Sequence, residues 1–224
     1  MNRPFISVFD MFKIGVGPSS SHTLGPWKAA AAFVEQLRVT GRLTSVSRLV
    51  VDLYGSLAKT GKGHGTDMAV LMGLRSEDPV TCDTTPLTGL VEMVRQNDTI
   101  LLGGQVDLPF LMETDLLFHR NEQLPFHPNG MRFTATLTGG ESVSQTWYSI
   151  GGGFIVPENE SIASGSSVSV PYEIRNADDL LQYCNLARKP INEIVIENEC
   201  CLRPRTEVEA GVLRIWSVMR DCVY

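Results

Sequence analysis

Basic residues are in deficit in this 224-residue chain: 19 Lys and Arg stand against 25 Asp and Glu, giving a formal net charge of -6. A phosphate backbone selects a basic stripe, so the balance argues against a nucleic-acid partner. Long apolar runs are also missing. No stretch approaches the roughly 20 residues that span a bilayer. Asp10 and Lys13 interrupt the apolar start, where a secretory leader would have an unbroken apolar core. The expected setting is the cytoplasm, with no membrane partner. Cysteine is sparse and spaced for no framework. Cys82, Cys184, Cys200, Cys201 and Cys222 are odd in number and include no C-x-x-C, so neither a disulfide scaffold nor a zinc or cluster spacing is visible. They read as ordinary thiols in a reducing compartment, and no metal ligand is assigned within the chain.

The rest suits a protein that buries a core, with 43% hydrophobic residues. A helix is predicted from Pro26 to Gly41, with proline in its first turn, AAAAFVEQL in its body and glycine near its end. In SRLVVDLYGS, Leu49, Val51 and Leu53 alternate with Val50, Asp52 and Tyr54, the period of a strand. KTGKGHGT, with three glycines in five residues, reads as irregular and leads into a helix from Asp67 to Leu74. Residues 86–97 read as helical and TILLGG as a short strand. Two alternating runs flank the Gly-Gly turn of FTATLTGGESVSQTWYSIGGGFIV, a hairpin signal. Mixed helices and hairpins give the fold class α+β, a mixed sheet with flanking helices. We read residues 1–157 as one α+β domain and the serine-rich 158–170 as a linker. Residues 171–224 read as the beginning of an all-helical domain. There Asn176 is a candidate helix cap, and Val208, Val212, Ile215, Trp216, Met219 and Val223 share a broad apolar face.

Four polar, glycine-bearing segments lie at element ends, where rigid scaffolds present binding groups. GPSSSHT gathers Ser19, Ser20, Ser21 and His22 just before a helix, a setting that suits an anion such as a carboxylate. An ordinary serine-rich cap with a surface histidine fits the same residues. GKGHGT is no phosphate-binding loop, because Ser56 and Gly63 stand where that pattern needs glycine and a hydroxyl residue. It does hold His64 between two glycines, placing a group that exchanges protons near neutrality where backbone can approach a ligand closely; an incidental loop histidine is the alternative. Gly151, Gly152 and Gly153 follow a strand and could expose a row of N–H donors, or simply make a tight bend. In HPNGMRF, Asn129 marks a turn and could present its amide. His119 and His127 show no pairing pattern and read as structural or solvent-facing. Together the four segments describe a hydroxyl-rich pocket for a small carboxylate.

At these segments the sequence resembles a known family. SVFDMFKIGVGPSSSHTLGP, YGSLAKTGKGHGTD, NGMRF and WYSIGGGFIV are similar, in order, to the bacterial iron–sulfur L-serine dehydratases. The likeness runs from Ile6 to Tyr172 and more weakly beyond, in VPYEIRNADDLLQYC. It implies a first domain similar in fold to the allosteric substrate-binding domain of some phosphoglycerate dehydrogenases, then a helical domain holding a 4Fe-4S cluster through three cysteines. It further implies a cytoplasmic homodimer serving amino-acid degradation and gluconeogenesis, in which L-serine loses water and yields pyruvate and ammonia. The cluster would act as Lewis acid on the leaving hydroxyl. Carried onto this chain, the resemblance gives His64 an acid–base or polarising role and places Ser19, Ser20, Ser21, His22, Thr66, Asn129, Ser149, Gly151, Gly152 and Gly153 around the substrate. The cluster cysteines have no counterpart in this chain, which leaves a truncated product, a fragment or one half of a split enzyme; the expectation leans to a single-chain form cut short, needing its helical catalytic part in cis or trans. A serine-binding or dimerisation domain without catalysis is the alternative. A pyridoxal-phosphate dehydratase, for which Lys59 and Lys62 are available, is not supported by the surrounding pattern.

Overall fold

Leu49, Val51 and Leu53 are all fully buried, as their alternation requires, and they lie on an inner strand of the sheet on which the larger part of the molecule is built. The computed structural model describes residues 5–84, 87–158 and 168–223. The helix α1 (Val8–Met11) comes first, then α2 (Leu24–Val39) and β1 (Val46–Tyr54). Next are α3 (Gly55–His64), α4 (Thr66–Leu74), α5 (Leu87–Asn97) and a two-stranded ribbon of β2 (Thr99–Leu102) and β3 (Val106–Pro109). Then follow α6 (Met112–Asp115), β4 (Leu116–His119), β5 (Gly130–Leu137), β6 (Ser142–Gly151) and β7 (Phe154–Pro157). Three helices close the chain, α7 (Ala177–Ala187), α8 (Ile191–Glu199) and α9 (Arg205–Asp221).

The main sheet has the order β4-β1-β5-β6-β7. β1 and β4 run parallel and every other neighbour is antiparallel, so the sheet is mixed and the fold is α+β. One face, carrying Leu53, Met131, Phe133 and Ala135, is sealed from water, and Phe33 of α2 stacks on Phe133 with ring centres 5.4 Å apart. The opposite face is polar. There Arg132 Nε donates to Thr146 Oγ1 at 3.2 Å, Thr134 and Ser144 hydroxyls meet at 3.0 Å, and His119 Nε2 pairs with Asp52 at 2.6 Å. This hydrogen bond, with Tyr54 stacked 4.8 Å from the imidazole, gives His119 the partner its sequence setting did not reveal.

One expectation is overturned. KTGKGHGT is helical up to His64 and not irregular. Each glycine inside a helix costs about 1 kcal/mol relative to alanine, but here packing wins. A Cβ on Gly61 would lie 3.0 Å from the Thr66 hydroxyl and 3.4 Å from the Phe118 ring, so the bare glycine lets α3 lie close against its neighbours. Gly65, with φ +74°, then takes the left-handed conformation that ends α3 and lets α4 start afresh.

Two compact units result, Gly15–Ile162 and a second that joins Met1–Ile14 to Ala163–Tyr224. Most of the 158–170 segment lies outside the described residues. In the second unit Asn176 caps α7 as expected, its side chain accepting from Asp179 N at 2.9 Å. The carboxylate of Glu199 is 1% exposed and takes the Ser7 hydroxyl and the Val8 N–H, each at 2.7 Å, with Arg203 3.7 Å away. A buried carboxylate is tolerated when donors satisfy it in this way. It fastens the four-residue α1 to the end of α8.

Candidate active site

Three elements of the Gly15–Ile162 unit bring the polar residues together. The turn before α2 supplies Ser19, Ser21 and His22; α3 supplies Ser56, Thr60 and His64, four residues apart and therefore on one helix face; the end of β6 supplies Ser149. His22 and His64 rings lie 4.9 Å apart, centre to centre. Around His22, Ser21 Oγ stands 3.0 Å from Nδ1, while Ser56 Oγ and Thr60 Oγ1 each stand 3.1 Å from Nε2. Ser19 Oγ lies 3.2 Å from Ser21 Oγ and extends the row of hydroxyls.

Hydrogen bonding assigns the proton on each ring. His64 Nδ1 is 2.9 Å from the Thr60 carbonyl, which can only accept, so this nitrogen carries the proton. In the neutral ring Nε2 then holds a lone pair, and it has no hydrogen-bond partner among the described residues. The Thr60 hydroxyl gives its own proton to the Ser56 carbonyl at 3.0 Å and so accepts from His22 Nε2–H. Neutral His22 is left with a bare Nδ1 that accepts from Ser21. Burial first, and the adjacent His64 second, hold the His22 pKa below the ordinary 6.5, with the Ser56 backbone pulling the other way.

That shift has a sign. Unfolded His22 takes up a proton near pH 6.5 and the folded residue does not. Stability therefore falls as the pH drops below about 6.5, and stops falling once the lowered folded pKa is passed. We expect thermal melts between roughly pH 7.5 and 5 to show a smaller acid loss for His22→Gln than for the wild type; equal losses would mean that this ring is not the linked group.

Not every predicted site residue faces the cluster. Thr66 and Ser149 are fully buried, and their hydroxyls are taken by the carbonyls of His22 (2.6 Å) and Ser21 (2.8 Å). Asn129, 8% exposed, donates its amide to the Ser149 carbonyl at 3.1 Å, and its Oδ1 has no partner among the described residues. These three are struts behind the serine turn. Ser20 is exposed and lends its carbonyl to the Gly25 N–H at 2.9 Å. The Trp27 backbone N–H is likewise bonded, to Thr23 O, so the turn offers hydroxyls more than open N–H groups. Gly151–Gly153 make the tight turn between β6 and β7, tied to α2 by Lys28 Nζ on the Gly153 carbonyl at 3.1 Å. His127 Nδ1 accepts from the Asn129 N–H at 3.1 Å. Sequence reasoning passed over Ser56 and Thr60, although their i, i+4 spacing to His64 was there to be read. A separate cavity of about 260 Å³ is lined by Lys62, Asp67, Glu113 and Phe118 among others, and shares no residue with the histidine pair.

The serine dehydratase beta chain family matches residues 7–160 of this sequence, well over half of it. The chain belongs to that family. It is 43% identical over 218 residues to L-serine dehydratase TdcG of Escherichia coli, covering 96% of this chain and 48% of that protein. L-serine dehydratase 1 of the same organism is 43% identical, covering 97% and 48%. The L-serine dehydratase of Streptomyces coelicolor is 42% identical, covering 97% and 49%. The chain thus spans about half the length of the curated relatives it matches.

The family resemblance implies a 4Fe-4S cluster, and the residues present do not fit one. Among the described residues no group of three or more His, Cys, Asp or Glu could hold a metal. The cysteines are dispersed as well, with Cys82 in one unit and the other four in the second.

Proposed function

We propose that this chain is the substrate-side half of an L-serine dehydratase, and that His64 Nε2 removes the α-proton of L-serine. The observation that carries this reading is the paired imidazoles of His22 and His64, one of them with an open lone pair, beside a row of serine hydroxyls. Ser19, Ser20 and Ser21 are suited to the substrate carboxylate, and Ser56 adds a hydroxyl beside His22. Proton removal at Cα forms the Cα–Cβ double bond as the Cβ–O bond breaks, and the departing hydroxide takes up one proton, equivalent to the one His64 removed, and leaves as water. Aminoacrylate then becomes the imine, which water converts to pyruvate and ammonia.

The rest of the machine belongs to polypeptide beyond this chain, which would supply the cluster ligands and complete the helical domain. The apolar face of α9 supports that reading. Only Val208 is buried there, while Val212, Trp216 and Met219 on the same face are 43–59% exposed, apolar surface that a partner would cover. The same reading carries a homodimer and a cytoplasmic setting; no helix of the described residues is long and apolar enough to cross a membrane.

The test joins this chain to the C-terminal half of L-serine dehydratase 1 of Escherichia coli, reconstitutes the product anaerobically with iron and sulfide, and measures pyruvate. Serine-dependent pyruvate from the joined protein and none from the chain alone is the expected result. Serine binding by the chain, with no pyruvate from the joined protein, would instead make it a binding domain.

A further inference from the structure

We infer that Thr60 is the positioning residue for both histidines, fixing their opposite tautomers from one turn of α3; this rests on the dehydratase reading of the pair. Its two oxygens do different work. The carbonyl, which cannot donate, takes the proton of His64 Nδ1 at 2.9 Å. The hydroxyl stands 3.1 Å from His22 Nε2, and its own hydrogen is committed to the Ser56 carbonyl at 3.0 Å, so toward His22 it can only accept. One residue thereby turns His64 Nε2 out as the free base and turns His22 Nδ1 toward the Ser21 hydroxyl.

The arrangement follows from helix geometry. A side chain at position i lies one turn from i+4, which brings Thr60 between Ser56 and His64 along a single stripe. A threonine hydroxyl that bonds back to the i−4 carbonyl has its proton occupied and its lone pairs facing outward. Valine has the same shape without the hydroxyl; serine keeps the hydroxyl. The two substitutions therefore separate positioning from packing. Ser56 Oγ, also 3.1 Å from Nε2, is the competing partner, because a serine hydroxyl can donate as well as accept and so fixes no tautomer by itself.

The experiment is long-range proton–nitrogen correlation on the 224-residue chain carrying nitrogen-15 histidine, with no substrate and no cluster. In the wild type, His22 should show a protonated Nε2 and an unprotonated Nδ1, and His64 the reverse. Thr60→Val should convert His22 to a mixture of tautomers and leave His64 as it was, since the backbone carbonyl remains; Thr60→Ser should restore the wild-type pattern. A His22 pattern unchanged in Thr60→Val would assign the tautomer to Ser56 and overturn the inference, as would Nδ1–H on wild-type His22. Thr60 is exposed, so these substitutions do not disturb the core. The nitrogen pattern and the catalytic reading fail separately: tautomers as described with full turnover in His64→Ala would remove the dehydratase role and leave the positioning intact.

Discussion

His64→Ala lowers kcat of the joined enzyme by about 10²–10⁴-fold, the range that a positioned general base supplies. The expectation follows from one carbonyl. Because Thr60 O accepts from Nδ1, the neutral ring has its lone pair on Nε2, which meets no other described group. Alanine removes the lone pair and leaves the backbone, so L-serine should still bind and KM should move far less than kcat. His64 is only half-buried and its one hydrogen bond stays within its own helix, so thermal stability should be nearly unchanged. Asparagine, which can still donate to Thr60 O but offers no basic nitrogen, should be as inactive as alanine. Exogenous imidazole should return part of the rate to the alanine variant and none to a variant lacking the substrate-side hydroxyls. Near-normal turnover in His64→Ala would place the base elsewhere.

A second large effect, on stability, is expected at Gly25. A Cβ at this position would lie 2.0 Å from Ser149 Oγ and 2.7 Å from Ser149 Cβ, distances that no bonded-out carbon tolerates. Rotation could clear the hydroxyl but not the Cβ, so Gly25→Ala must push α2 away from the end of β6. Ser149 is fully buried and its hydroxyl holds the Ser21 carbonyl, so the displacement also leaves buried polar groups unpaired. Overpacking and an orphaned hydrogen bond together cost about 3 kcal/mol or more, a fall in Tm on the order of 6–12 °C for a unit of this size. Ser149→Ala loses the hydrogen bond alone and should cost about 1–2 kcal/mol. The double variant Gly25→Ala, Ser149→Gly removes the obstruction and should recover part of the loss. Strict additivity of the single variants Gly25→Ala and Ser149→Gly in that double variant would show that the contact is not the cause.

Much of the sheet could be read directly. Leu49, Val51 and Leu53 announced β1 by alternation, and the Gly139–Gly140 turn placed β5 and β6, because both signals are local. The helix after the serine turn starts at Leu24, two residues before the predicted proline, and ends at Val39. The α3 region was misread because local propensity counts glycines without knowing what they pack against; Gly61 is compensated by Thr66 and Phe118, and Phe118 is 57 positions away. Ser56 and Thr60 went with it, since a stripe at i, i+4 and i+8 has meaning only once the segment is known to be helical. The pairing of His22 with His64 spans 42 positions and rests on how α3 meets the turn before α2, which no window along the chain contains. The struts Thr66, Asn129 and Ser149 were found as polar residues near the site, but their burial, which turns them inward to backbone carbonyls, belongs to tertiary packing.

The grip of Glu199 on Ser7 and Val8 sets an order of events during synthesis. The two partners are 192 residues apart, and the ribosome delivers the serine first. Everything needed for the Gly15–Ile162 unit has emerged before Glu199 is made, so that unit can fold while residues 7–14 are still waiting for α8. The helical unit is stitched from the two sides of an already folded insert, a long-range closure of the kind that slows folding. Trimming the first 14 residues would be felt not at the serine turn that follows them but at the far end of the sequence, where a carboxylate 1% exposed would lose two of its donors.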